Sequence, residues 1–92
     1  MSVSFSSKVV LSSEVLLREL SGEAVMLHLG DQHYYALDTV GTRMLQMACS
    51  STSIEDAYQQ LIAEFDVDPE TLHSDLEELL QELLEQKLIR LE

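Results

Sequence analysis

The chain has 92 residues, one cysteine and a formal net charge of −12, which allows one small core, no internal disulfide and little affinity for phosphate backbones. No apolar run approaches the ~20 residues that span a bilayer. The start, MSVSFSSKVV, lacks the basic segment and long apolar stretch of a signal peptide, and a reducing cytoplasm is the expected location.

Residues 1–13 are serine-rich and read as an N-terminal arm, partly ordered or with a short strand near Val9 to Leu11. Residues 14–92 read as a single domain. Glu14 to Leu20 is a strand with Val15 and Leu17 on one face and Leu16, Arg18 and Leu20 on the other. A Ser-Gly-Glu turn leads to a second strand, Ala24 to Leu29. A Gly-Asp-Gln turn leads to a third, His33 to Leu37, and the short connections predict an antiparallel meander. The period then changes to that of helices. Asp38 or Thr39 can cap a first helix whose apolar face is Val40, Met44, Leu45, Met47 and Ala48. Ser53 with Asp56 resembles a capping box and opens a second helix running to about Phe65. Asp68, Pro69 and Glu70 are a cap, a first-turn proline and a first-turn acid for a third helix ending near Gln86. The last residues read as an extended end. The expected fold class is therefore α+β, a three-stranded antiparallel sheet followed by three helices in a winged helix-turn-helix-like order.

The third helix carries more leucine than a core stripe of roughly 100° requires. Leu72, Leu76, Leu79, Leu83 and, a turn later, Ile89 are the expected core positions, and Leu80 and Leu84 widen the stripe beside His73 and Glu77. Either they pack against the sheet or the tail, or they line a groove edged by acid. Charge is uneven as well: between Met44 and Gln86 there are eleven Asp and Glu and no Lys or Arg. A winged-helix DNA-binding regulator would put one of these helices against phosphate, which their charge opposes. An acidic protein–protein adaptor is the other alternative.

Little in the sequence points to catalysis. His28, His33 and His73 are dispersed and have no second cysteine to complete a zinc set. Cys49 ends an amphipathic helix with no local oxyanion or orienting group, so it reads as a structural thiol. The three glycines form no phosphate loop. No catalytic residue, metal ligand or cofactor is assigned.

Two runs, HYYALDTVGTRMLQM and STSIEDAYQQLIAEFDVDPETLHSDLEELLQELLEQKLI, resemble the PqqD-like proteins, the recognition elements for precursors of ribosomally synthesised, modified peptides. The matching positions are Tyr34-Tyr35-Ala36-Leu37-Asp38-Thr39-Val40-Gly41, then Ser53-Ile54-Glu55-Asp56-Ala57, Phe65, Val67-Asp68, Asp75-Leu76 and Leu88-Ile89. The resemblance covers roughly residues 14 to 90. Many relatives carry a tryptophan where this chain has Leu45 and a glycine where it has Lys87. The resemblance implies a non-catalytic module that captures the leader segment of a precursor peptide by β-augmentation. It further implies presentation to a separate modifying enzyme or leader peptidase, a radical SAM enzyme or a transglutaminase-like peptidase, the lasso-peptide type being preferred. It implies no cofactor, nucleic acid or membrane. The implied binding strand is Gln32, His33, Tyr34, Tyr35, Ala36 and Leu37, with one tyrosine facing the core and the other bordering the groove. The opposite wall is expected from His73, Leu76, Glu77, Leu80 and Leu84 of the third helix, with Leu80 and Leu84 as its floor.

Overall fold

The computed structural model describes residues 3–92. Five strands and three helices follow in the order β1 (Val9–Leu11), β2 (Val15–Leu20), β3 (Glu23–His28), β4 (His33–Leu37), α1 (Thr39–Ser50), α2 (Ile54–Glu64), α3 (Pro69–Glu85) and β5 (Ile89–Leu91). Strands β2, β3 and β4 form an antiparallel meander in that spatial order, so β4 is an edge. Its first hairpin closes on two residues, Ser21 and Gly22, both at positive φ (56° and 82°). This is the mirror-image turn whose twist matches paired strands. The inner face of the sheet carries the buried Ala24, Met26, His28 and Leu37. Alternation sends Leu16, Val25 and Tyr34 outward.

The junction from sheet to helices explains the Leu-Asp-x-x-Gly pattern. Asp38 caps α1, its Oδ1 accepting from the Gly41 N–H at 2.7 Å. A Cβ on Gly41 would lie 3.2 Å from that oxygen and 3.4 Å from Leu37 Cδ2, so a side chain there would crowd the cap. One residue on, the buried Thr42 hydroxyl accepts from the Ala24 N–H at 2.9 Å, tying α1 to β3. Ser53 and Asp68 cap α2 and α3 by accepting from the N–H groups of Asp56 and Thr71, each at 3.1 Å. In α1, Val40 of the expected apolar face is half exposed, at an open recess it shares with Met44, Phe65, Val67 and Leu72.

Helix α3 ends in a Schellman arrangement. The Lys87 N–H bonds to the Leu84 carbonyl at 3.0 Å and the Leu88 N–H to the Leu83 carbonyl at 2.9 Å. Lys87 sits at φ 62°, in the left-handed region that favours glycine. Leu88 then turns into the core, and β5 pairs antiparallel with β1, matching Val9 with Leu91. Val3 and Val9 are buried in the same core as the helices, so residues 3–13 pack onto the body. The Lys8 ammonium donates to the carbonyls of Cys49 and Ser51, at 2.9 and 2.7 Å, at the end of α1.

The buried stripe of α3 is Leu72, Leu76, Leu80 and Leu83. Leu80 is fully buried and Leu79 is not, the reverse of the expected assignment. The cause is the N-terminal arm. Phe5 stacks on His73 at 4.1 Å, and Tyr58 meets the same imidazole edge-on at 5.1 Å. The helix is thus covered on that flank as well as along its sheet-facing side, and the stripe rotates toward the arm.

Candidate peptide-binding groove

Successive helical residues are rotated by about 100°. Glu82 is nine positions beyond His73, so the two lie about 180° apart around α3. The flank opposite the arm therefore carries Asp75, Leu79, Glu82 and Gln86. This flank looks toward β4, and Tyr35 spans the gap. Tyr35 is on the inner face of β4 and half buried, and its phenol is pushed up to about 12, first by burial and then by the neighbouring Glu82 carboxylate. Both effects favour the protonated hydroxyl. Asp75, Glu78, Leu79 and Glu82 line one open recess on this flank. Glu78, Gln81, Glu82, Glu85 and Gln86 line the next along the helix. The arrangement is a free strand edge beside a helix flank that is acidic but holds one half-buried leucine.

The predicted site residues divide accordingly. Gln32, His33, Tyr34, Tyr35, Ala36 and Leu37 lie at or just before the edge strand. Leu37 is buried, and Gln32 closes the β3–β4 loop at φ 56°, its N–H bonded to the His28 carbonyl at 2.8 Å. Tyr34 does not border the groove. It points to the outer face of the sheet and is 72 % exposed, because period two sends it opposite to Tyr35. On the helix, Leu76 and Leu80 are core residues with no exposed surface, and neither can serve as a groove floor. His73, Glu77 and Leu84 belong to the flank that meets the arm, with Leu84 about 160° around the helix from Glu82. The flank toward Tyr35 carries Asp75, Glu78, Leu79 and Glu82 instead. Sequence parity offered a signal. Leu37 must turn inward to enter α1, which places Tyr35 and His33 inward as well.

His33 stacks on His28 across the strand pair, centroids 5.5 Å apart, and its Nε2 is buried without a hydrogen-bond partner among the described residues. Among those residues no three His, Cys, Asp or Glu side chains converge to hold a metal ion. Cys49 is half buried; burial raises its thiol pKa while the Lys8 ammonium opposes the shift. No helix among them is long and apolar enough to cross a membrane.

Residues 23–89 match the family described as Coenzyme PQQ synthesis protein D (PqqD). The chain belongs to the PqqD family. Among solved structures, the PqqD-like chain is similar to TbiB1 in complex with the TbiA(beta) leader peptide. That match has 30 % identity and a TM-score of 0.80, covering 87 % of this chain and 93 % of the other. It also shares its fold with a lasso peptide synthetase B1 complexed with the leader peptide, at 20 % identity and a TM-score of 0.81, covering 90 % and 98 % of the two chains. No curated protein sequence matches it. Both solved relatives hold peptide leaders, and the PqqD-like chain has their α+β architecture.

Proposed function

We propose that this PqqD-family chain is a non-catalytic recognition element that binds the leader segment of a ribosomally synthesised precursor peptide. The leader adds as a strand to the free edge of β4 and lies in the groove between β4 and α3. It is thereby presented to a modifying or cleaving enzyme in a reducing cytoplasm. The observation that carries this reading is the open β4 edge beside the Asp75–Leu79–Glu82 flank, with Tyr35 reaching between them. Unpaired N–H and C=O groups of an edge strand offer backbone affinity, and alternate guest side chains then meet the helix. Leu79 is the apolar contact, and Glu78 and Glu82 favour a leader with Lys or Arg beside its apolar anchor. The likeness to a leader-bound lasso peptide synthetase B1 supports a lasso-type system, with a transglutaminase-like peptidase as the cleaving enzyme, over a radical SAM partner.

The test uses the leader peptide encoded beside the gene. Binding measured by fluorescence anisotropy should saturate, and amide hydrogen exchange should slow along His33–Leu37. Protection along Val15–Leu20 instead would move the guest to the other edge of the sheet, and absence of saturation would reject leader binding.

A further inference from the structure

The inner face of the sheet is occupied by the core, and its outer face is bare. The register aligns Leu16, Leu27 and Tyr34 across the three strands, and beside them Arg18, Val25 and Ala36. Leu16 is 47 % exposed, Val25 42 % and Tyr34 72 %. Leu16, Arg18, Val25, Leu27 and Tyr34 line one shallow open depression whose surface is almost wholly apolar. Its one charged residue is a cation, on a chain with 17 acids and five bases. Contiguous apolar surface of this kind marks an interaction site.

This face is separate from the leader groove but continuous with it. Tyr34 and Tyr35 are neighbours on β4 that point to opposite sides. A strand added to the β4 edge would extend both faces, and every second guest side chain would continue the outer one. Whatever covers the outer face therefore lies against the loaded leader.

We infer that the outer face of the sheet docks the folded enzyme that acts on the precursor. The enzyme contributes an apolar surface with a carboxylate placed to pair with Arg18. The inference rests on the leader-binding reading for the identity of that enzyme. Charge argues against a second copy as the occupant. Two such faces stacked on each other would join two molecules of net charge −12, and the carboxylate that shares the face, Glu23, sits diagonally across the β2–β3 pair from Arg18. A different protein avoids that repulsion, and Arg is suited to a bidentate pair with an acid at an interface.

The experiment uses the full chain, the leader peptide and the purified processing enzyme encoded beside the gene. Two variants are compared with the native protein, Leu16→Ser with Val25→Ser, and Arg18→Glu. All three positions are exposed, so circular dichroism should remain native. Each variant should bind the leader within twofold of native and the enzyme at least about tenfold more weakly. Native enzyme affinity in both variants overturns the inference. So does a native dimer, seen by sedimentation velocity, that the variants dissociate, since the face then belongs to a second copy. A native protein that fails to bind the leader refutes the proposed function in its own titration, while loss of enzyme binding in the variants would still support docking on this face.

Discussion

Leu79 and Leu80 are adjacent in sequence and separated by the boundary between groove and core, so truncating each in turn separates two free energies. Leu80 has no exposed surface and packs in the cluster with Leu76 and Leu83. Leu80→Ala removes a transfer contribution and leaves a cavity, at a cost of about 2–5 kcal/mol of folding stability. A domain of this length has a total of roughly 5–14 kcal/mol, so most molecules remain folded. Leu79 is half buried. About half of the 1.5–3 kcal/mol for a fully buried leucine is at stake in folding, roughly 1 kcal/mol. The remainder is available to a guest, and Leu79→Ala should weaken leader binding by about fivefold, equivalent to ~1 kcal/mol. Urea unfolding followed by circular dichroism and leader binding followed by anisotropy, on the same preparations, give both quantities. The expected pattern is Leu80→Ala unstable with native affinity per folded molecule, and Leu79→Ala nearly native in stability with reduced affinity. The opposite pattern would refute the groove geometry and return the site to the His73 and Leu84 flank.

Glu82→Gln should slow association with a Lys- or Arg-bearing leader and flatten its salt dependence, measured by stopped flow from about 50 to 500 mM salt, because rim charges act mainly on encounter. The raised Tyr35 pKa gives a signed pH effect. The folded state favours the protonated phenol, so its contribution is fully present below the ordinary value of about 10 and is lost as pH rises through about 12. Urea midpoints should therefore fall more between those values in the native protein than in Tyr35→Phe, and equal losses would remove Glu82 and burial as the cause. Lys87→Gly should raise stability by about 0.5–1 kcal/mol, the relief of a left-handed side chain less the added entropy of glycine in the unfolded chain. A urea midpoint at or below native would show that the Lys87 conformation carries no strain.

Local chemistry made most of the architecture readable. Alternating residues between glycine-bearing turns gave the meander, and Asp38, Ser53 and Asp68 marked helix starts that their side chains do cap. The leucine-rich third helix was harder, because its rotation depends on what covers it. Phe5, far away in sequence, decides that His73 and Leu84 face the arm, and nothing within α3 records this. The two tyrosines show the same limit. Alternation establishes that they face opposite ways, but which one meets α3 follows from the inward turn of Leu37 and from the position of Glu82. The β1–β5 ribbon joins opposite ends of the chain, and its short partners have no periodic pattern long enough to announce the pairing.

That ribbon also sets how the molecule can be handled. The backbones of Lys8 and Glu92 exchange hydrogen bonds at 2.8 and 2.9 Å. They are therefore side by side, and the strands they begin and end run antiparallel. Traction applied through these two residues loads the ribbon one rung at a time, like a zipper, while the β2–β4 meander bears no direct load. The same adjacency suits circular permutation. A linker from residue 92 to the start of the N-terminal arm, which keeps Val3 and Phe5 in place, with new ends cut between Ser21 and Gly22, would retain the core and leave the β4 edge open.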